Sequence, residues 1–108
     1  MGRNTLGGFE HQVLLAALRL GGEAYSVPIV LELEEHTGSE VSQAAAFVTL
    51  RRLEKKGLLD SRMDDHTIPE TGRPRRYFAL TELGRERLRQ SRRVLLSLWH
   101  GVVAELDA

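Results

Sequence analysis

Three arginines crowd a Gly-Pro turn in "TGRPRRYFAL", at Arg73, Arg75 and Arg76, and two more stand together, Arg51 and Arg52, in "VSQAAAFVTLRRLEKKGLL". A guanidinium is a permanently charged, planar fork that matches phosphate oxygens and the guanine edge. The chemistry these residues suggest is anion recognition. Groups that would do catalysis are not brought together. His11, His36, His66 and His100 are widely separated and lack paired metal-ligand spacing, and with no cysteine there is no thiol nucleophile, disulfide or thiolate site. The chain has no phosphate-cradling glycine loop and no nucleophile elbow, and the neighbours Glu34 and Glu35 point in different directions on a helix. The expectation is a protein that is not an enzyme and needs no metal or cofactor.

Overall charge says nothing for nucleic acid, because 15 basic and 15 acidic residues cancel. Its distribution says more. Residues 1–50 carry two basic and six acidic side chains, a net of −4, whereas residues 51–93 carry thirteen basic and seven acidic, a net of +6. In that second stretch all the cations except Lys55 and Lys56 are arginines, which marks it as a candidate anion-binding surface.

A length of 108 residues, 42% hydrophobic and 28% charged, suits one domain with a modest shared core. No apolar run approaches a membrane span, and the opening MGRNTLGG lacks the apolar segment of a signal peptide. The expected location is the cytoplasm, with no membrane partner.

Those arginines need elements to carry them. Phe9 to Leu20 is apolar at Phe9, Val13, Ala17 and Leu20, with Leu14 and Leu18 beside them and Gly21-Gly22 as a stop, which predicts a buried first helix. In "AYSVPIVLELEEHTG", Ser26 is placed to cap a second helix, Pro28 fits its first turn and Gly38 ends it. A third helix follows, capped by Ser42 and stopped at Gly57. "LLDSRM" and "RRYFAL" read as strands around a long polar tip, "DDHTIPETGRP". Thr81 then caps a last helix of about 25 residues, nearly 40 Å long.

On a helical wheel centred on Leu50, Ala46, Phe47 and Leu53 lie within about 60° and face the core. Opposite lie Ala45, Val48 and Arg52, flanked by Ala44, Arg51 and Lys55 on one side and by Thr49 and Lys56 on the other. Alanines let a helix backbone approach base edges, and a threonine or valine methyl can pack on a thymine methyl. Ser42, Gln43, Ala45 and Thr49 are therefore candidate base or phosphate contacts, with Gln43 suited to adenine. Arg51 and Arg52 are candidate phosphate or guanine ligands, and Arg73, Arg75 and Arg76 are candidates for the hairpin. The bland alternatives are a solvated charged face, and a tip whose cations balance Asp64, Asp65 and Glu70. On the last helix Leu88, Leu95, Trp99, Val102 and Leu106 share one direction within about 40°. That stripe exceeds what three short helices can cover, so it is the expected dimer interface. Trp99 could also offer a ligand a flat aromatic surface, with interface as the default.

Three helices, a hairpin and a long last helix give a mainly α fold with a small β-hairpin. It is a winged helix-turn-helix over residues 9–80, with a C-terminal dimerisation helix over 81–108, as a single domain. "LRRLEKKGLL" followed by "GRPRRYFALTELG" and an amphipathic helix, with "AYSVPIVLELEEHTGSEVSQ" upstream, resembles the PadR family of bacterial transcriptional regulators over roughly residues 9–106. The resemblance implies a homodimeric winged-helix repressor whose last helix builds much of the interface, and which answers to a small-molecule effector or a partner protein in some members. The chain ends about one helix past the wing, as compact members do. It departs from the family at Ala44, often glycine, and at Phe47, often tyrosine, which favours a core role for Phe47. The expected function is sequence-specific binding of double-stranded DNA at a palindromic operator through the third helix and wing. The alternative is a protein-binding winged helix that grips an acidic partner.

Overall fold

The computed structural model describes residues 5–67, 69 and 72–107. Glu70, one of the acids set against the wing arginines, lies outside them. The elements run α1 (Gly8–Arg19), β1 (Glu23–Ala24), α2 (Ser26–Thr37), α3 (Gln43–Lys55), β2 (Leu59–Thr67), β3 (Pro74–Leu80), α4 (Glu82–Trp99) and α5 (Val103–Asp107). The mainly α fold with a hairpin is as expected, but the sheet has a third strand.

That strand is β1, and it gives an antiparallel sheet of order β1-β3-β2. Glu23 pairs with Ala79 and Ala24 with Phe78, while β2 and β3 pair from Leu59–Leu80 out to Asp64–Arg75 and Thr67–Pro74. Two residues are too few to show any alternation, so β1 leaves no periodicity in the sequence. It also moves the start of α2. Tyr25, not Ser26, is the extended N-cap, and Ser26 is the first helical residue.

The core is formed by Val13, Leu14 and Ala17 of α1, Ile29 and Leu33 of α2, Leu50 and Leu53 of α3, and Leu58, Leu59, Phe78 and Leu88. α3 closes as expected at Gly57 (φ 79°), where the Gly57 N–H donates to the Glu54 carbonyl and the Leu58 N–H to that of Leu53. This paired bond pattern needs a left-handed residue, which glycine takes without a Cβ clash. Thr81 then joins two elements. Its hydroxyl accepts the Gly84 N–H at 3.0 Å, capping α4, and donates to the Gly57 carbonyl at 2.7 Å. Gly84 is buried so close to this junction that a Cβ there would lie 2.2 Å from the Leu58 carbonyl oxygen.

Two expectations about the last helix need correcting. It is not one rod of 25 residues, because His100 leaves the helical region (φ −59°, ψ 126°) and Gly101 has φ 83°, so α4 stops at Trp99 and a short α5 follows. Leu88 is not interface surface either. It is 6% exposed and belongs to the core beneath α1. Leu95, Trp99, Val102 and Leu106 do remain uncovered, at 44% to 70% exposure. No helix among the described residues is long and apolar enough to cross a membrane.

Candidate nucleic-acid interface

Ser42 is the N-cap of α3, its hydroxyl accepting the Ala45 N–H at 3.1 Å. From there Gln43, Ala44, Ala45, Val48, Arg51, Arg52 and Lys55 are exposed. The small side chains stand at the N-terminal end and the cations at the C-terminal end, as the wheel predicts. Val48, Arg51, Arg52, Glu54 and Lys55 line a shallow concavity of about 510 Å³ on this face.

The helix is rolled relative to the wheel centred on Leu50. Its buried residues are Ala46, Thr49, Leu50 and Leu53, whose mean direction lies about 50° from Leu50 toward Thr49. Thr49 is consequently 5% exposed and is withdrawn from the contact surface. The same roll brings Phe47 out to 40% exposure, where its ring edge meets core Phe78 at 6.0 Å and 78°. Phe47 thus borders the core and does not fill it. Lys56 is carried the other way, toward α1, and its ammonium lies 2.8 Å from Glu10.

The wing is less free than its sequence suggests. β2 runs through Asp64, Asp65 and His66, so the hairpin continues into the stretch expected to be tip. Arg75 and Arg76 consequently lie within β3, half-buried, and both have partners inside the chain. The Arg75 guanidinium stacks over Tyr25 at 4.8 Å, and Arg62 stacks over Tyr77 at 4.7 Å. The two tyrosine rings are 5.5 Å apart, so the outer sheet face carries a continuous run of two adjacent rings with a cation at each end, Arg75 on Tyr25 and Arg62 on Tyr77. On the inner face Arg76 Nη1 donates to the Ser61 hydroxyl at 3.0 Å. Arg73 precedes β3 and is exposed. The signal for Arg75 was Tyr25 itself, but only β1 brings that ring beside β3.

A family model described as the transcriptional regulator PadR-like family matches residues 14–90. The chain belongs to the PadR-like family. Members of that family are transcriptional regulators, not enzymes. A crystal structure of a PadR family transcriptional regulator from Eggerthella lenta DSM 2243 is 30% identical, with a TM-score of 0.70 over 89% of this chain and 81% of that one. A PadR-like transcriptional regulator from Bacillus cereus strain ATCC 14579 is 21% identical, with a TM-score of 0.71 over 93% and 92%. F93 from STIV, a winged-helix DNA-binding protein, is 14% identical, with a TM-score of 0.60 over 86% and 88%. The last two likenesses bear on the fold alone, and the fold is a winged helix. No curated protein sequence matches the chain.

Within this PadR-like winged helix α3 is the third helix and β2-β3 the wing. A second concave surface lies away from both. α1 and α4 enclose a cleft of about 510 Å³ lined by residues that include Leu6, His11, Leu15, Ser91, Val94 and Leu95. His11 Nδ1 and the Ser91 hydroxyl are 2.6 Å apart across it, and burial pushes the His11 pKa down from its ordinary value. Trp99 is not among the residues lining this cleft.

Proposed function

We propose that the chain is a homodimeric repressor that binds a palindromic operator, placing α3 of each copy in a major groove and the wings alongside. The observation that carries this reading is the uncovered face of α3, small near its start and cationic near its end. Ser42, Gln43 and Ala45 would approach base edges, while Arg51, Arg52 and the wing's Arg73 would take phosphates. Arg75 and Arg76 would shape the wing from within. Pairing would go through the exposed apolar run Leu95, Trp99, Val102 and Leu106, because one palindromic half-site is read by each copy.

The test is a fluorescence-anisotropy titration of the protein against DNA from its own upstream region and against random DNA, at two salt concentrations. Own-promoter binding should be at least about 1,000-fold tighter than random. Arg51→Ala with Arg52→Ala should weaken binding to both and flatten the own-promoter plot of log affinity against log salt by nearly two, at about 0.9 for each phosphate no longer neutralised. Equal, weak binding to both DNAs would sink the operator reading and turn attention to an acidic protein partner for the same face.

A further inference from the structure

Glu54 is placed where electrostatics disfavours it. It lies in the last turn of α3, at the negative end of the helix dipole, and lines the concavity formed with Arg51, Arg52 and Lys55, which would approach phosphates. An anion there costs affinity for DNA unless it has work to do. Its carboxylate holds two arms. Oε1 is 3.5 Å from Arg51 Nη1, one turn back on the same helix. Oε2 accepts the Ser61 hydroxyl of β2 at 2.6 Å, and that same hydroxyl accepts Arg76 Nη1 of β3 at 3.0 Å.

A solvated ion pair three residues apart on a helix is worth only a few tenths of a kcal/mol and would need no further account. The Ser61 arm makes the difference. The Ser61 oxygen donates to Glu54 and accepts from Arg76, so the bonds run in one direction, Arg76 to Ser61 to Glu54, and each polarises the next. The glutamate side chain is only 29% exposed, which leaves the chain of bonds less screened than a surface pair. One carboxylate therefore links an arginine on the outer face of α3 and, through Ser61, an arginine midway along the wing strand β3.

We propose that Glu54 is a positioning residue for DNA discrimination. It fixes Arg51 against α3 and sets the angle of the wing to that helix through Ser61 and Arg76. This rests on the DNA reading above. Glu54 trades raw affinity for selectivity: with the anion present, Arg51 meets a phosphate only in the register that its restraint allows.

The experiment repeats the two-DNA titration at several salt concentrations with Glu54→Gln, Glu54→Asp and Ser61→Ala, each checked by a thermal melt. Glu54→Gln should bind random DNA more tightly and steepen the random-DNA salt plot by about 0.9, as for one more phosphate neutralised once Arg51 is released there. Its preference for the own promoter should fall about tenfold, the scale of one misplaced base contact. Glu54→Asp keeps the charge and should keep the wild-type salt slope. Ser61→Ala cuts only the wing arm, so it should lower the preference with the slope unchanged. The proposal is overturned if Glu54→Gln leaves preference and slope at wild-type values. A lower preference without a steeper slope would overturn it too, since loosened structure alone does that. If Glu54→Gln fails to fold, Ser61→Ala decides alone, and an unchanged preference there refutes the wing arm. Wild-type protein that does not distinguish the two DNAs would refute the operator reading itself, a result none of these variants can produce.

Discussion

Lys56 stands in the last turn region of α3, where a cation is favoured by the helix dipole and where solvent is its usual partner. Its ammonium instead reaches Glu10, whose other oxygen accepts the Gly7 N–H at 2.9 Å at the start of α1. Burial pushes the Glu10 carboxyl up, but the Lys56 and Gly7 hydrogen bonds and the charges of Lys56 and Arg52 outweigh it, holding the group below its ordinary 4.5. A carboxyl depressed by folding stabilises the fold above its unfolded pKa, and that contribution disappears as pH falls through the folded value. Glu10→Gln should therefore melt below wild type at pH 7, with the gap closing as pH falls below about 4.5. Melts at pH 7 and pH 3 check this, and a gap that stays constant would show that charge is not the cause. At this scale the sequence revealed local roles best. The Ser42 cap bonds a partner only three positions away, whereas the partners of Lys56, Arg75 and Arg76 lie 46, 50 and 15 positions away along the chain. Nothing in local spacing points to partners so distant.

Elements were legible wherever a run of several turns carried a stripe, and failed where one residue decides. Helices α1 to α4 begin or end within a residue or two of their caps, because apolar period and capping chemistry agree. The roll of α3 was hidden because it depends on what packs at its sides: the sheet at Phe47 and Glu54, α1 at Lys56. The stop at Trp99 was hidden because a lone glycine in an apolar run does not by itself end a helix. Gly84 is the opposite case, a glycine inside a helix that tertiary contact demands. Gly84→Ala would raise intrinsic helix propensity, yet its Cβ would meet the backbone oxygen of Leu58, which cannot swing aside. The variant should lose about 1–3 kcal/mol, lowering Tm by about 4–8 °C per kcal/mol, as differential scanning calorimetry would show. A variant that melts higher would mean that the junction yields easily.

For the whole molecule, the apolar stripe splits into an inner and an outer part. Leu88 is closed into the core, while the large apolar residues from Val94 to Leu106 that are exposed keep 44% to 70% of their surface open among the described residues. The two parts should respond differently. Leu88→Ala should cost roughly 2–5 kcal/mol of fold stability, whereas Leu95→Glu should leave each copy folded and yield monomers by light scattering with operator binding lost. A dimer that survives Leu95→Glu would move the interface elsewhere. The division was not legible because periodicity gives the direction of a side chain and not what lies in that direction.

α4 is clamped at one end by Thr81 and Gly84 against the close of α3, and bare at the other. In mechanical terms it is a lever with a stiff root. Its 18 residues span about 27 Å, so a push of about 1 Å at Trp99 corresponds to a tilt of about 2° delivered at Leu58 and Gly57, directly beneath α3.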